Sequence, residues 1–236
     1  MNRVKVLRSL LPAYCLIGVG LLLTTFYGSK AVTAIAEQSR IDGRKTVVID
    51  AGHGGMDGGA TSYTGVLESQ VNLEIALKLN DLMHLLGIKT RLVRDTDRSV
   101  HTTGDTIAQK KVSDLRERVR IVNSTKDGLL VSIHQNKFPD SRYSGAQVFY
   151  APTGGSKALA SLLQSAFVEN LNPGSKRQIK KADGIFLMQH INCTGVLIEC
   201  GFLSNPQEEY LLRSDEYQRK ICCVIATSVS QHLFSS

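Results

Sequence analysis

The chain has 236 residues, 42% of them hydrophobic, enough for one full core and one domain of catalytic size, with no internal repeat and no low-complexity block. Its formal charge is +7, but Met1–Ala36 holds four basic residues and no acid, so the remainder carries only +3, which excludes a nucleic-acid footprint. Tryptophan is absent, which argues against a stacking platform for sugars or bases.

Arg3, Lys5 and Arg8 precede an apolar stretch from Leu10 to Tyr27, about the length needed to cross a bilayer. Residues 1–36 are therefore predicted to be a signal or membrane-anchor segment, with Ala34-Ile35-Ala36 as a cleavage pattern. Residues 37–44 follow as a linker, and residues 45–236 form the exported domain. Cys15 lies in the apolar stretch, and Tyr14 before it is unlike a lipoprotein acceptor, where a small residue is wanted. Cys193, Cys200, Cys222 and Cys223 show no C-x-x-C spacing; Cys222 and Cys223 read as small core residues, and export would permit disulfides whose pairing the sequence leaves open.

In chain order, Thr46–Asp50 reads as a buried strand, followed by a glycine-rich loop from Gly52 to Leu67. A helix spans Glu68 to Leu86, with Val71, Ile75, Leu79, Leu82 and Leu86 on one side and Gly87 ending it. Ile88–Val93 is a strand and Arg94-Asp95-Thr96-Asp97-Arg98 a polar loop. A short helix from near Ser113 to Asn123 carries Leu115, Val119 and Val122 inward. Gly128–His134 and Ser144–Tyr150 are strands, the latter suited to an edge. Ser156 caps a helix to about Leu171, broken by Asn172-Pro173-Gly174. Ile185–Met188 and Val196–Glu199 are the last strands, before helices at Pro206–Leu212 and Asp215–Leu233. Strands alternating with helices predict a single α/β domain with a largely parallel central sheet flanked by helices on both faces.

Three of these strands end alike. Val47-Val48-Ile49-Asp50-Ala51-Gly52 delivers His53 into glycines, Leu129–Ile133 ends in His134, and Val196–Ile198 ends in Glu199 before a glycine. In open α/β sheets the ligand crevice lies beyond the carboxyl ends of the strands, so all three should meet there. A catalytic zinc wants three nitrogen or carboxylate ligands and an open fourth position. His53 and His134 need one carboxylate to complete that set, and Glu68, opening the helix after the glycine loop, can point back over the crevice. Glu199 follows an apolar run and is the candidate general base, desolvation raising its pKa against the pull of a nearby cation. A rival assignment makes Glu199 a fourth ligand of a closed structural site. Alone, each histidine would be an ordinary structural group, as His84, His101, His190 and His232 are read. The basic cluster Lys176, Arg177, Lys180 and Lys181 suits an anionic wall polymer or peptide carboxylates, against the plainer reading of a solvated loop.

Asp50-Ala51-Gly52-His53-Gly54-Gly55 with Asp57 and Gly59-Ala60, Glu68 with Val71-Asn72-Leu73, Ser132-Ile133-His134-Gln135-Asn136, Ser144-Gly145-Ala146 and Val196–Asn205 together resemble the zinc-dependent N-acetylmuramoyl-L-alanine amidases of bacterial cell walls. The resemblance covers the whole exported domain. It implies one Zn2+ per domain on His53, Glu68 and His134, with Glu199 as the catalytic carboxylate cleaving the amide between N-acetylmuramic acid and L-alanine. The short form and the Cys-Gly-Phe-Leu-Ser-Asn ending are similar to the sporulation amidases that prepare muramic-δ-lactam in spore cortex. Gln135 and Arg177-Gln178-Ile179-Lys180 depart from the commoner pattern, where a small residue and an Arg-Gly-Val-Lys run stand. The resemblance implies peptidoglycan as the partner; no blocking insert or wall-binding repeat is recognisable, so any restraint or targeting of activity would come from an activator or other partner protein or from expression timing. The localisation implied is the cell wall or forespore intermembrane space, secreted or anchored. The same metal chemistry could serve a carboxypeptidase or endopeptidase acting within stem peptides, and the fold alone a non-catalytic wall-binding module.

Overall fold

The computed structural model describes residues 45–234, so the expected export segment lies outside the described residues. Six strands form one sheet: β1 (Thr46–Ala51), β2 (Thr90–Leu92), β3 (Gly128–Asn136), β4 (Gln147–Tyr150), β5 (Lys180–Lys181) and β6 (Thr194–Phe202). Their order is β2-β1-β3-β6-β4-β5; every pairing is parallel except that of β4 with β6. The helices are α1 (Glu68–Leu85), α2 (Ile107–Asn123), α3 (Ser156–Asn170), α4 (Phe186–His190), α5 (Pro206–Leu212) and α6 (Asp215–Phe234). The predicted α/β class and largely parallel sheet are as observed. Among the described residues no helix is long and apolar enough to cross a membrane.

The central strands β1, β3 and β6 are β-branched because both of their faces are covered. On one face Val47, Ile49, Val131 and Ile198 pack with Ile75 and Leu79 of α1, Leu163 and Phe167 of α3 and Ile225 and Val229 of α6. On the other, Val48, Leu130 and Leu197 pack with Ile121 and Val122 of α2 and Leu187 and Met188 of α4. Since all three run parallel, their carboxyl ends lie at one edge of the sheet, carrying His53, His134 and Glu199 together.

Several predicted elements are corrected. Ile185–Met188 is not a strand; the five-residue helix α4 occupies Phe186–His190, and its burial of Leu187 and Met188 mimics a strand in so short a run. α2 begins at Ile107, six residues before the predicted start, because Thr106 and Gln109 form a reciprocal capping box. Its buried side runs through Arg118, Ile121 and Val122, whereas Leu115 is 38% exposed. Ser156 is the first residue of α3 and Gly155 the cap; the Ser156 hydroxyl instead accepts the Gly195 N–H. Arg94 is not in solvent but completely buried. Cys222 is a core residue as read, whereas Cys223 is exposed. Lys180–Lys181, read only as part of a basic cluster, forms the edge strand β5, where lysines discourage pairing with another chain.

Candidate metal centre

The loop leaving β1 is shaped by what it must fit around. His53 has φ +62°, a left-handed conformation that costs a non-glycine residue about 1–2 kcal/mol. Two buried arginines hold the backbone that makes this turn. Arg94 donates Nε–H to the Ala51 carbonyl and Nη2–H to the Gly52 and Ser69 carbonyls, all at 2.8–2.9 Å. Arg118 reaches from α2, pairs with Asp50 and Asp114, and donates to the carbonyls of Ala51 at 2.9 Å and His53 at 2.6 Å. Asp50 is in turn tied to the Ser132 hydroxyl of β3 at 2.7 Å. Burial alone would raise the Asp50 carboxyl, but the Arg118 charge and the Ser132 bond outweigh it and hold it below its ordinary value.

Glycine is required at two positions beside the imidazoles. A Cβ on Gly52 would lie 2.3 Å from the His134 ring, and one on Gly59 2.6 Å from Glu68 Oε2 and 2.7 Å from the His53 ring. Gly59 also has φ +68°.

Glu68, first residue of α1, lies between the two histidines. Its Oε1 is 2.9 Å from His134 Nδ1 and also accepts from Asn72 Nδ2 and the Gln135 N–H, each at 3.2 Å. Its Oε2 accepts the Ala60 N–H at 2.9 Å and is 3.3 Å from His53 Nε2. Burial works to raise the Glu68 pKa, but the two histidines overcome it and hold the carboxyl far below the usual range. Burial likewise works to lower His53, yet Glu68 and Asp57 overcome it and push its pKa up to about 9. Asp57 Oδ2 holds His53 Nδ1 at 2.9 Å, leaving Nε2 facing Glu68, and Lys111 pairs with Asp57 at 2.8 Å.

Donor atoms of His53, Glu68 and His134 all lie within 4.8 Å of one another, and among the described residues this is the only such group of three or more that could hold a metal ion. The donor set, two imidazoles and a carboxylate with a carboxylate behind one imidazole, is of the kind that binds zinc with an open position. Glu199 is the direct cross-strand partner of His134, and its Oε2 is buried with no hydrogen-bond partner. Burial pushes its pKa up to about 7, with Glu68 adding and the two histidines opposing. Beside the centre is a cavity of about 310 Å3 bounded by His53, His134, Lys111, Leu115, Ile185 and Phe186.

The structure thus brings together His53, Glu68 and His134, with Glu199 beside His134 on the neighbouring strand, and keeps His84, His101, His190 and His232 out of the cluster. Sequence reading missed Arg94, Arg118 and the orienting roles of Asp50, Asp57 and Asn72. A signal existed for two of them: Asn72 is four residues after Glu68 on one helix, and Arg118 falls on the inward side of α2 four residues before Val122.

Residues 47–231 match the family model described as N-acetylmuramoyl-L-alanine amidase. The chain is 36% identical over 190 residues to the germination-specific N-acetylmuramoyl-L-alanine amidase of Bacillus subtilis, covering 80% of this chain and 79% of that protein. The CwlD amidase from Clostridioides difficile, solved in complex with the GerS lipoprotein, superposes with a TM-score of 0.78 at 37% identity, covering 81% of this chain and all of that one. Another N-acetylmuramoyl-L-alanine amidase structure, from Clostridium difficile 630, gives a TM-score of 0.70 at 30% identity over 81% of this chain and 98% of that one. With the fold, the donor cluster and the matched span in agreement, the chain belongs to the N-acetylmuramoyl-L-alanine amidase family and is a peptidoglycan amidase.

Proposed function

We propose that the chain hydrolyses the amide between N-acetylmuramic acid and L-alanine as a zinc enzyme, and that this is the peptide-removing step of muramic-δ-lactam formation in spore cortex. The observation that carries the zinc reading is the convergence of His53, Glu68 and His134 beside the unpaired Oε2 of Glu199. Those three residues would hold one ion, which when bound supplies Lewis acidity toward water and the scissile carbonyl. Glu199 then accepts a proton from the attacking water and returns it to the leaving amine of L-alanine. In the metal-free protein burial pushes this carboxyl up to about 7, and a cation held beside it would draw it down toward the carboxylate form that accepts the proton. Asp57 fixes the His53 ring, while Arg94 and Arg118 fix the backbone it stands on.

Identity to the germination-specific amidase supports the cortex assignment, and likeness to a CwlD structure holding a lipoprotein supports an activating protein partner. The apolar segment Leu10–Tyr27 supports export and anchoring or secretion at the cell wall or forespore intermembrane space. Mass spectrometry of peptidoglycan digested by the zinc-loaded chain tests the reaction: glycan freed of stem peptides that retain L-alanine is expected, and shortened peptides still attached to muramic acid would refute it. Cortex from a strain lacking the gene should contain no muramic-δ-lactam; an unchanged lactam content would refute the cortex role while leaving the amidase reading standing.

A further inference from the structure

We propose that Arg177 is a preformed subsite for a carboxylate on the stem peptide of the substrate, an assignment that rests on the amidase reading above. It lines a groove of about 620 Å3 at the carboxyl end of β6, on the β4 side of the metal centre. The guanidinium is fixed on three sides. Nε donates to the Ser144 carbonyl at 2.8 Å, Nη1 to Gln147 Oε1 at 3.4 Å, and Cζ lies 4.7 Å from the centroid of the Phe202 ring. Among the described residues no ion pair engages it, and Nη2 makes no hydrogen bond. An arginine held in place by a ring and two oxygens, with one edge of its fork unused, is organised in advance to receive an anion.

The surrounding charges leave that role to Arg177. Glu208 lines the same groove, but its two oxygens accept the N–H groups of Gly145 and Phe202, each at 2.8 Å. Burial raises the Glu208 pKa, against those two bonds and the Arg177 charge. Arg142, also at the rim, is paired with Asp140 at 2.7 Å. Lys176 is exposed at the rim and adds positive charge.

Position sets which carboxylate could be read. Gln147, which touches Arg177, is the cross-strand partner of Glu199, and Phe202 lies three residues beyond Glu199 on β6. At about 3.3 Å per residue the Phe202 backbone, over whose ring the guanidinium lies, is roughly 10 Å along β6 from that of the proposed base. An extended peptide covers the same span in two or three residues, so the carboxylate belongs to the second or third residue of the stem peptide rather than to the L-alanine at the cleaved bond.

The test uses synthetic muramoyl-peptides in which each peptide carboxylate in turn is replaced by a carboxamide. With the zinc-loaded full chain, amidation at one position should raise KM roughly tenfold to a hundredfold at unchanged kcat, the size of a charge-assisted contact. Arg177→Gln should show the same loss on the unmodified substrate and no further loss on the amidated one, and Arg177→Lys should recover part of it. Affinities for the Glu199→Gln chain, measured by calorimetry, should follow the same pattern without turnover. A parent chain indifferent to every amidation, or an Arg177→Gln chain that still discriminates, would overturn the subsite. A parent chain that cleaves no member of the panel would overturn the amidase reading and the subsite with it.

Discussion

Arg118 Nη2 donates to the backbone carbonyl of His53 at 2.6 Å, linking the middle of α2 to the one residue of the donor cluster whose backbone is left-handed. The same guanidinium pairs with Asp50 inside the sheet and Asp114 on its own helix, so it ties the turn to both the strand and the helix that flank it. A strained backbone persists only where its surroundings hold it. Arg118→Ala should therefore lose stability by about 3–5 kcal/mol, because Asp50 is left buried and unpaired. Arg118→Lys cannot span both carboxylates and the two carbonyls; it should retain more stability yet bind zinc more weakly than the parent. Urea unfolding together with zinc titration separates these effects, and a lysine variant with parental zinc affinity would show that the clamp does not position His53.

Glu199→Gln removes the proposed base and keeps nearly the same shape. Turnover should fall by about 10²–10⁴ from lost proton transfer, with zinc stoichiometry unchanged. His134→Ala should instead lose zinc. Metal analysis of both purified variants beside their kcat values decides the two roles: an active Glu199→Gln chain removes the base assignment, and a zinc-replete His134→Ala chain removes the ligand assignment.

Zinc uptake should depend on pH through His53. Its pKa in the metal-free protein is pushed up to about 9, so at pH 7 the ring is protonated and must release a proton to bind an ion. Affinity should rise close to tenfold per pH unit between pH 6.5 and 8.5, with about one proton released. The sign for folding is opposite. A histidine raised from 6.5 to about 9 stabilises the metal-free fold fully below pH 6.5, and that contribution is lost as pH rises through 9. Calorimetry in buffers of different ionisation enthalpy counts the protons, and melting of the metal-free chain across the same pH window checks the second half.

The three strand ends were legible because an apolar run closed by a histidine or a glutamate has few other uses, and parallel strands leave their ends together. Glu68 was legible because a helix start places a carboxylate back over the preceding loop. Arg94 and Arg118 were not: buried arginines are rare, and a sequence window cannot show that each will find several backbone carbonyls. The start of α2 was in fact written in Thr106-Ile107-Ala108-Gln109, but the polar run Gln109–Lys111 obscured the helix it opens. α4 has only five residues, too few for a helical period to emerge. The basic cluster near Arg177 could not be resolved into free and fixed cations until Phe202, 25 positions later, was seen beneath the guanidinium.

Gly52 offers the sharpest separation between holding the fold and holding the metal. Its backbone is not left-handed, so alanine adds no conformational strain, yet the new Cβ would sit 2.3 Å from His134 Cε1 and Nε2. Backbone movement is opposed by Arg94 and Asn72, which both donate to the Gly52 carbonyl. The His134 ring must therefore swing away from Glu68. Gly52→Ala should lose zinc affinity by tenfold or more while losing only about 1–3 kcal/mol of stability, the ordinary scale of overpacking. At Gly59, by contrast, alanine meets both crowding and a left-handed backbone, so stability and zinc binding should fall together. Zinc titration of the two variants beside their urea midpoints makes the comparison; a Gly52→Ala chain binding zinc like the parent would mean that His134 need not stand against the β1 turn.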